Sequence, residues 1–400
     1  MGRVSNSPFS VDVLVIGGGP AGSAAAIHAA KAGYSVLLID AQPFPRDKTC
    51  GDGLTPRAVH QLEALGVDVT SRYRSFGLKL HGFGGSVTVP WPESHFGQVS
   101  SAMPRMEFDA MLWEMAAQHA TTWTATASEV EIDSAIRSVT MSDGRVVKPR
   151  SVIVADGVRS TFGKLLGRTW HRGEVYGIAA RSYCTTPRST EPWMHSHLEL
   201  RDDSTTLPGY GWIFPLGDGT ANVGCGALST DKRPAKINTK KLLRHYASQQ
   251  TDWEFGTPQR VASALLPMGG AVSTIAGPNW MLIGDAAACV NPLNGEGIDY
   301  GLETAALAVA HLDNPLEWPH ILRETYGEAF LLARTAARLL TYPQFLPLTG
   351  PIALRTPLMA SAARLMGNLV TEEDKDIVAR AWRAAGWGVT KIRGRSPLWD

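Results

Sequence analysis

The chain has 400 residues, 44% of them hydrophobic, enough to bury a large core in one big domain or two joined ones. Its 38 Lys and Arg against 37 Asp and Glu leave a net charge of +1, which removes the long-range attraction that nucleic-acid binding needs. The four separated cysteines, Cys50, Cys184, Cys225 and Cys289, show neither C-x-x-C nor zinc-like spacing, so no disulfide framework and no metal site is expected, and a reduced cytoplasmic setting fits best.

In chain order, Met1–Ser10 is largely polar, and the mainly apolar run Val11–Ile16 is too short and too glycine-bounded for a signal peptide. No stretch of about 18 apolar residues occurs, so no spanning helix is expected and any meeting with a membrane takes place at its surface. Val11–Ile16 has the pattern of a buried strand, Ala21–Ala32 of a helix and Ser35–Asp40 of a second strand, together a βαβ unit. Strands are predicted at Ser86–Pro90, Val130–Asp133, Ile136–Met141 and Ser151–Ala155, and a helix at Glu107–His119 on the spacing Phe108, Met111, Leu112, Met115. Gly82-Phe83-Gly84-Gly85 is followed by a strand, not a helix, and is a turn. Tyr176–Leu228 predicts a second, largely antiparallel sheet, Asn279–Ile283 a further buried strand, Gly297–His311 a helix, and the chain from about Tyr326 is helical. The resulting division is a discontinuous nucleotide domain (1–75, 100–170, 270–325), an inserted sheet domain (76–99, 171–269) and a helical region (326–400).

The chemistry-bearing motifs fall at the strand ends. Gly17-Gly18-Gly19-Pro20-Ala21-Gly22 fits G-x-G-x-x-G between a strand and a helix. Gly17, Gly19 and Gly22, with Pro20 and Ala21, allow a tight turn and close backbone approach to a pyrophosphate at the positive helix end. Asp40, with Ala41 after it, closes the next strand at the distance where an acid hydrogen-bonds the adenosine ribose. A glycine-rich turn alone would be a weak signal among 40 glycines; the complete strand, helix, strand and acid is not.

Later motifs select the cofactor. The run Trp280 to Gly284-Asp285-Ala286, followed by Gly295, Gly297 and Ile298 at a helix start, resembles the second flavin fingerprint of the para-hydroxybenzoate-hydroxylase and geranylgeranyl-reductase families. The resemblance implies that Asp285 binds the ribityl chain of FAD and that the helix start faces the isoalloxazine. Asp156-Gly157 resembles the D-G motif of the same flavoproteins, and Arg105 resembles their FAD-contacting arginine at a helix start. Cys50-Gly51-Asp52-Gly53 and Tyr210-x-Trp212-x-Phe214-Pro215 resemble the cysteine loop and Y-x-W-x-F-P motif of geranylgeranyl reductases. The fold implied is α/β: a doubly wound FAD-binding domain like those of glutathione reductase and para-hydroxybenzoate hydroxylase, with an inserted antiparallel substrate domain and C-terminal helices. The activity implied is FAD-dependent saturation of one isoprene double bond, the second or β unit, in the polyprenyl tail of menaquinone, or of another prenyl lipid.

Tyr210 and Trp212, two apart on a strand, point to one side, and with Phe214 would form an apolar wall with a polar edge suited to a prenyl chain; the alternative is that all three are core. Cys50 is either a small residue packed near the flavin or an acid, and the proton donor is Cys50, a tyrosine or a held water. No second dinucleotide loop occurs, so the electron donor is loosely held or another protein. Two rival readings are an FAD-dependent hydroxylase or halogenase, which would consume O2 with substrate, and a prenyl-binding escort, which would be colourless. Between Leu331 and Asp400 ten Lys or Arg, among them Arg334, Arg338, Arg355 and Arg364, outnumber five acids. Interleaved with apolar residues, they suggest helices that dock on the inner face of the plasma membrane; the alternative is that these helices pack on the protein's own core.

Overall fold

Strand Phe9–Ile16 is apolar from Val13 to Ile16, and strand Val36–Asp40 is buried at every position. Such runs, with no polar alternation, suit strands covered on both faces. The computed structural model describes residues 8–202, 205–353, 380–381, 384–385, 388 and 398–399. Five strands form a parallel array in the order Trp280–Leu282, Val146–Val154, Phe9–Ile16, Val36–Asp40, Thr121–Thr124. An antiparallel edge strand, Ala276–Gly277, and the hairpin Ala127–Asp133/Ala135–Met141 extend it. The register sets Ile16 beside Val154 and Ile39, and Val154 beside Leu282. Four strands therefore end in one row, and the segments that follow them, at Gly17, Asp40, Ala155 and Ile283, open on the same crevice. Helices Pro20–Lys31, Arg105–Ala117 and Ile298–Ala310 pack over this sheet, their alanines and glycines allowing close approach.

A seven-stranded sheet stands opposite, in the order Gln259–Pro267, Tyr176–Thr185, Thr220–Ser229, Gly209–Pro215, Met194–His197, Gly77–Gly82, Gly85–Pro90. All pairs are antiparallel except Met194–His197 with Gly77–Gly82. Its outer face is covered by helix Thr239–Gln249 through Leu242, Leu243 and Tyr246. Gly82-Phe83-Gly84-Gly85 is the turn of a hairpin, with positive φ at Gly82, Phe83 and Gly84.

Helices Pro56–Leu65 and Thr239–Gln249 went unread in the sequence, although Thr55 and Asn238 cap them by accepting from the Ala58 and Lys241 N–H groups. The C-terminal helix begins at Trp318, earlier than Tyr326, with a proline in its first turn where the missing N–H costs nothing; it runs to Leu340. Among the described residues no helix is long and apolar enough to cross a membrane.

Candidate functional site

A single cavity of about 1540 Å³ runs from the first strand end, between the two sheets, to the C-terminal helices. At its nucleotide end each glycine of the loop has a distinct steric reason. A Cβ on Gly17 would lie 2.4 Å from the Ala155 oxygen, and one on Gly22 would lie 1.7 Å from the Gly17 oxygen. A Cβ on Gly19 meets only the tips of Arg46 and Arg105, at 3.7 and 3.9 Å, so this glycine keeps open the space in front of the helix. That helix has no side-chain cap and no acid in its first turn, which leaves its N–H groups and positive end for an anion.

Two guanidinium groups flank the same spot. Arg105 makes a bidentate pair with Asp109, at 2.6 and 2.8 Å, and Arg46 bonds both Asp109 and Asp40, each at 3.1 Å. Asp40 also accepts from the Gly18 N–H at 2.8 Å, which ties the second strand to the glycine loop, and from the Gln42 N–H at 3.0 Å, just past Ala41. Arg46 has no local motif; only the turn Phe44–Cys50 brings it here, its guanidinium 4.6 Å from the Phe44 ring centroid. Asp156 accepts from Ser160 Oγ at 2.6 Å and the Phe162 N–H at 2.8 Å, capping the short helix Thr161–Leu165, while Gly157 turns the chain with φ 75. Asp285 pairs with Lys48 at 3.3 Å.

The loop Phe44–Leu54 joins the two sheets. Asp47 pairs with Arg181, Lys48 with Asp285, and the Cys50 carbonyl and Asp52 carboxylate both accept from Asn222 Nδ2, at 2.9 and 2.8 Å. Asp52 also accepts from Tyr183 Oη at 2.7 Å; burial still pushes its carboxyl up to about 6. Gly51 and Gly53 lie against the rings of Trp212 and Phe214, close enough that a Cβ would sit 3.3 and 3.1 Å from Phe214.

Across the cavity Tyr210, Trp212 and Phe214 share one face, their ring centroids 5.9 and 6.4 Å apart in sequence. Trp212 lies flat on Gly224 of the neighbouring strand, where a Cβ would come within 2.0 Å of the ring, and its Nε1 donates to Asn222 Oδ1 at 2.9 Å. Only 7% of it is exposed. Tyr210 and Phe214 are half-buried and offer more surface. Tyr210 Oη donates to the Asn294 carbonyl at 2.5 Å, linking this wall to the Gly295-Glu296-Gly297 loop that opens helix Ile298–Ala310. Gly295 has φ 76, and Gly297 is the helix N-cap.

The Cys50 thiol is pushed up chiefly by burial, opposed by Arg105, so it stays protonated; burial and the nearby Glu296 push the Tyr210 phenol up as well. The cofactor, catalytic and substrate residues singled out in the sequence border this one cavity or the loops that shape it. Arg46, Asn222, Gly224 and Glu296 were not foreseen.

An uncapped helix, an open glycine and two cations, Arg105 buried and Arg46 partly so, form a cradle for a pyrophosphate, and the FAD binding domain family matches residues 10–330. Menaquinone reductase of Mycobacterium tuberculosis is 54% identical, over 97% of this chain and 98% of its own. The menaquinone reductase of Mycolicibacterium smegmatis is 52% identical over the same shares. The chain belongs to the geranylgeranyl-reductase family of FAD-binding proteins. Digeranylgeranylglycerophospholipid reductase 1 of Methanothermobacter thermautotrophicus is 31% identical over 74% of this chain and 76% of its own. Among solved structures, a geranylgeranyl bacteriochlorophyll reductase-like protein of Thermoplasma acidophilum shares the fold with a TM-score of 0.74 at 21% identity, covering 96% of this chain and 99% of that one. As a member of this flavoprotein family the chain is an oxidoreductase, and its cofactor is FAD.

One expectation about the C-terminal part is corrected. Arg334 is not a surface cation: it is 1% exposed and pairs with Glu174 at 2.8 Å. Arg355, Arg364 and the other charges beyond residue 353, apart from the exposed Arg380, lie outside the described residues.

Proposed function

We propose that this protein is a menaquinone reductase that saturates one isoprene double bond, the second unit, in the polyprenyl tail. What carries this reading is the 52–54% identity to the two menaquinone reductases over nearly whole chains, joined to a cavity that continues from the phosphate cradle into an apolar chamber. We assign Gly19, Arg46 and Arg105 to the pyrophosphate, Asp40 to the ribose, Asp285 to the ribityl chain and the Gly295–Ile298 helix start to the ring. Reduced FAD supplies a hydride. An isolated alkene has no carbonyl to accept charge, so alignment and exclusion of water fall to the protein. Tyr210 and Phe214 present apolar ring faces to the tail, and Trp212, fixed on Gly224, backs them.

The cavity reaches Leu340, Leu346 and Gly350, beside the exposed Leu339, Tyr342 and Leu348. This is where a tail anchored in a bilayer enters, with the protein docked peripherally on the cytoplasmic face; flotation with anionic vesicles, reduced by Leu348→Gln, tests that part. Electrons come from a separate donor. For the reaction itself, the purified yellow protein is reduced without oxygen and given menaquinone. The expected product is heavier by two hydrogens, with the change in the second isoprene unit. An oxygenated or halogenated product in air, or menaquinone returned unchanged, overturns the reading.

A further inference from the structure

The reaction needs a proton as well as a hydride. Three acids from three elements meet where the inserted sheet faces the Gly295–Gly297 loop: Cys50, Tyr210 and Glu296. Tyr210 already gives its proton to the Asn294 carbonyl. The Cys50 sulfur accepts from the Asp52 N–H at 3.4 Å and lies by Arg105.

Glu296 is held differently. Its N–H donates to Asn294 Oδ1 at 2.8 Å, and its carbonyl accepts from the Asn291 N–H at 2.7 Å, so its backbone is clamped on both sides. Its side chain borders the cavity, and Oε1, shielded from water, has no hydrogen-bond partner. An ionised carboxylate oxygen so placed would be costly, whereas a neutral acid there has a proton to give.

We propose that Glu296 is the catalytic acid that protonates the alkene. The inference rests on the reading of the cavity as a prenyl-reducing site. The π electron pair forms a C–H bond with the Glu296 proton at the less substituted carbon, where the positive charge left behind falls on the methyl-bearing carbon. That carbon takes the hydride. Two C–H bonds form, the π bond is lost, the flavin is oxidised by two electrons, and Glu296 is left as carboxylate, to be reprotonated by water after release. Burial first and the neighbouring Asp299 second push the Glu296 carboxyl well up, opposed by a hydrogen bond from the Asp299 backbone; Tyr210 and Cys50, pushed up from already weaker acidity, are poorer donors.

The test begins without substrate. Infrared spectra of the flavin-loaded protein at neutral pH are expected to show a carboxylic-acid band that Glu296→Gln lacks; no difference overturns the proposal. Reduced protein in D2O is then given menaquinone. Because the flavin N5–H exchanges with solvent as the carboxyl does, wild type is expected to place deuterium on both carbons of the saturated unit, and the rate is what is read: Glu296→Gln, with flavin content unchanged, is expected to be slower by about 10²-fold or more. Glu296→Ala should be partly restored by formate and not by chloride, which a structural role would not produce. A flavin-loaded Gln variant at wild-type rate, or an Ala variant that formate does not restore, overturns it. Should the Gln variant not hold flavin, the formate experiment decides. If wild type itself leaves menaquinone intact, the proposed function fails, and the infrared band still reports whether Glu296 holds a proton.

Discussion

At the ends of the parallel strands the chain presents backbone: Gly17, Gly19 and Gly22 leave the helix N–H groups bare, and the nearest side chains, Arg46 and Arg105, stand behind. On the other side of the same cavity the inserted sheet presents side chains: Tyr210, Trp212 and Phe214 in a row, with Gly224 removed from the way of the indole. A phosphate is recognised alike in every dinucleotide, so a fixed backbone cradle serves. A hydrocarbon tail offers no polar handle, so the wall must be shaped by ring surfaces, and its position depends on how those rings are braced.

Substitutions that exchange the two strategies should separate them. Gly22→Ala puts a carbon where only 1.7 Å is free of backbone, so it should cost more than about 4–5 kcal/mol and leave little soluble protein, read as yield and thermal midpoint. Trp212→Ala should cost about 3–5 kcal/mol in urea unfolding, because it opens a cavity and strands Asn222 Oδ1, while flavin still binds. Next comes the stack behind the wall, where His81 Nε2 and His195 Nδ1 are 3.0 Å apart and Tyr246 Oη meets His197 Nδ1 at 2.6 Å. Burial holds His195 down to about 2 and His197 to about 3, so the folded protein keeps them neutral while the unfolded chain takes up protons below about 6.5. Their contribution is present above pH 6.5 and lost as pH falls. From pH 6.5 to 5, wild type should lose roughly 2 kcal/mol more than His195→Phe, a difference that cancels the opposite trend from Asp52. Gly19→Val should fold, since only flexible arginine tips lie nearby, yet bind FAD about tenfold or more weakly, a loss of about 1.4 kcal/mol, read from flavin absorbance; full flavin content would disprove the cradle. Tyr210→Phe removes one hydrogen bond and should cost about 1 kcal/mol, with turnover reduced because the wall loosens from the Asn294 loop.

The glycine loop, Asp40 and the G-D-A strand end were legible because each lies beside a buried strand whose apolar run is itself a signal. Arg46 and Asn222 were not. Arg46 acts through a turn that carries it back to Asp40, and Asn222 through its position across from Phe214, two pairs along from the indole it holds. Gly224 matters only because the register sets it opposite Trp212. Glu296 stood inside a motif read for its glycines, where nothing local says that its carboxyl would lack a partner. By contrast, Thr55-Pro56 and Asn238 were visible helix starts that went unread.

The strap from Phe44 to Leu54 ties its residues alternately to the two sheets, through Asp40 and Asp285 on one side and Arg181, Tyr183 and Asn222 on the other. Neither sheet can melt without releasing half of those partners. The protein should therefore resist being cut into transplantable modules: heating should give one calorimetric transition, and an isolated copy of the inserted sheet, lacking its strap, should not fold on its own.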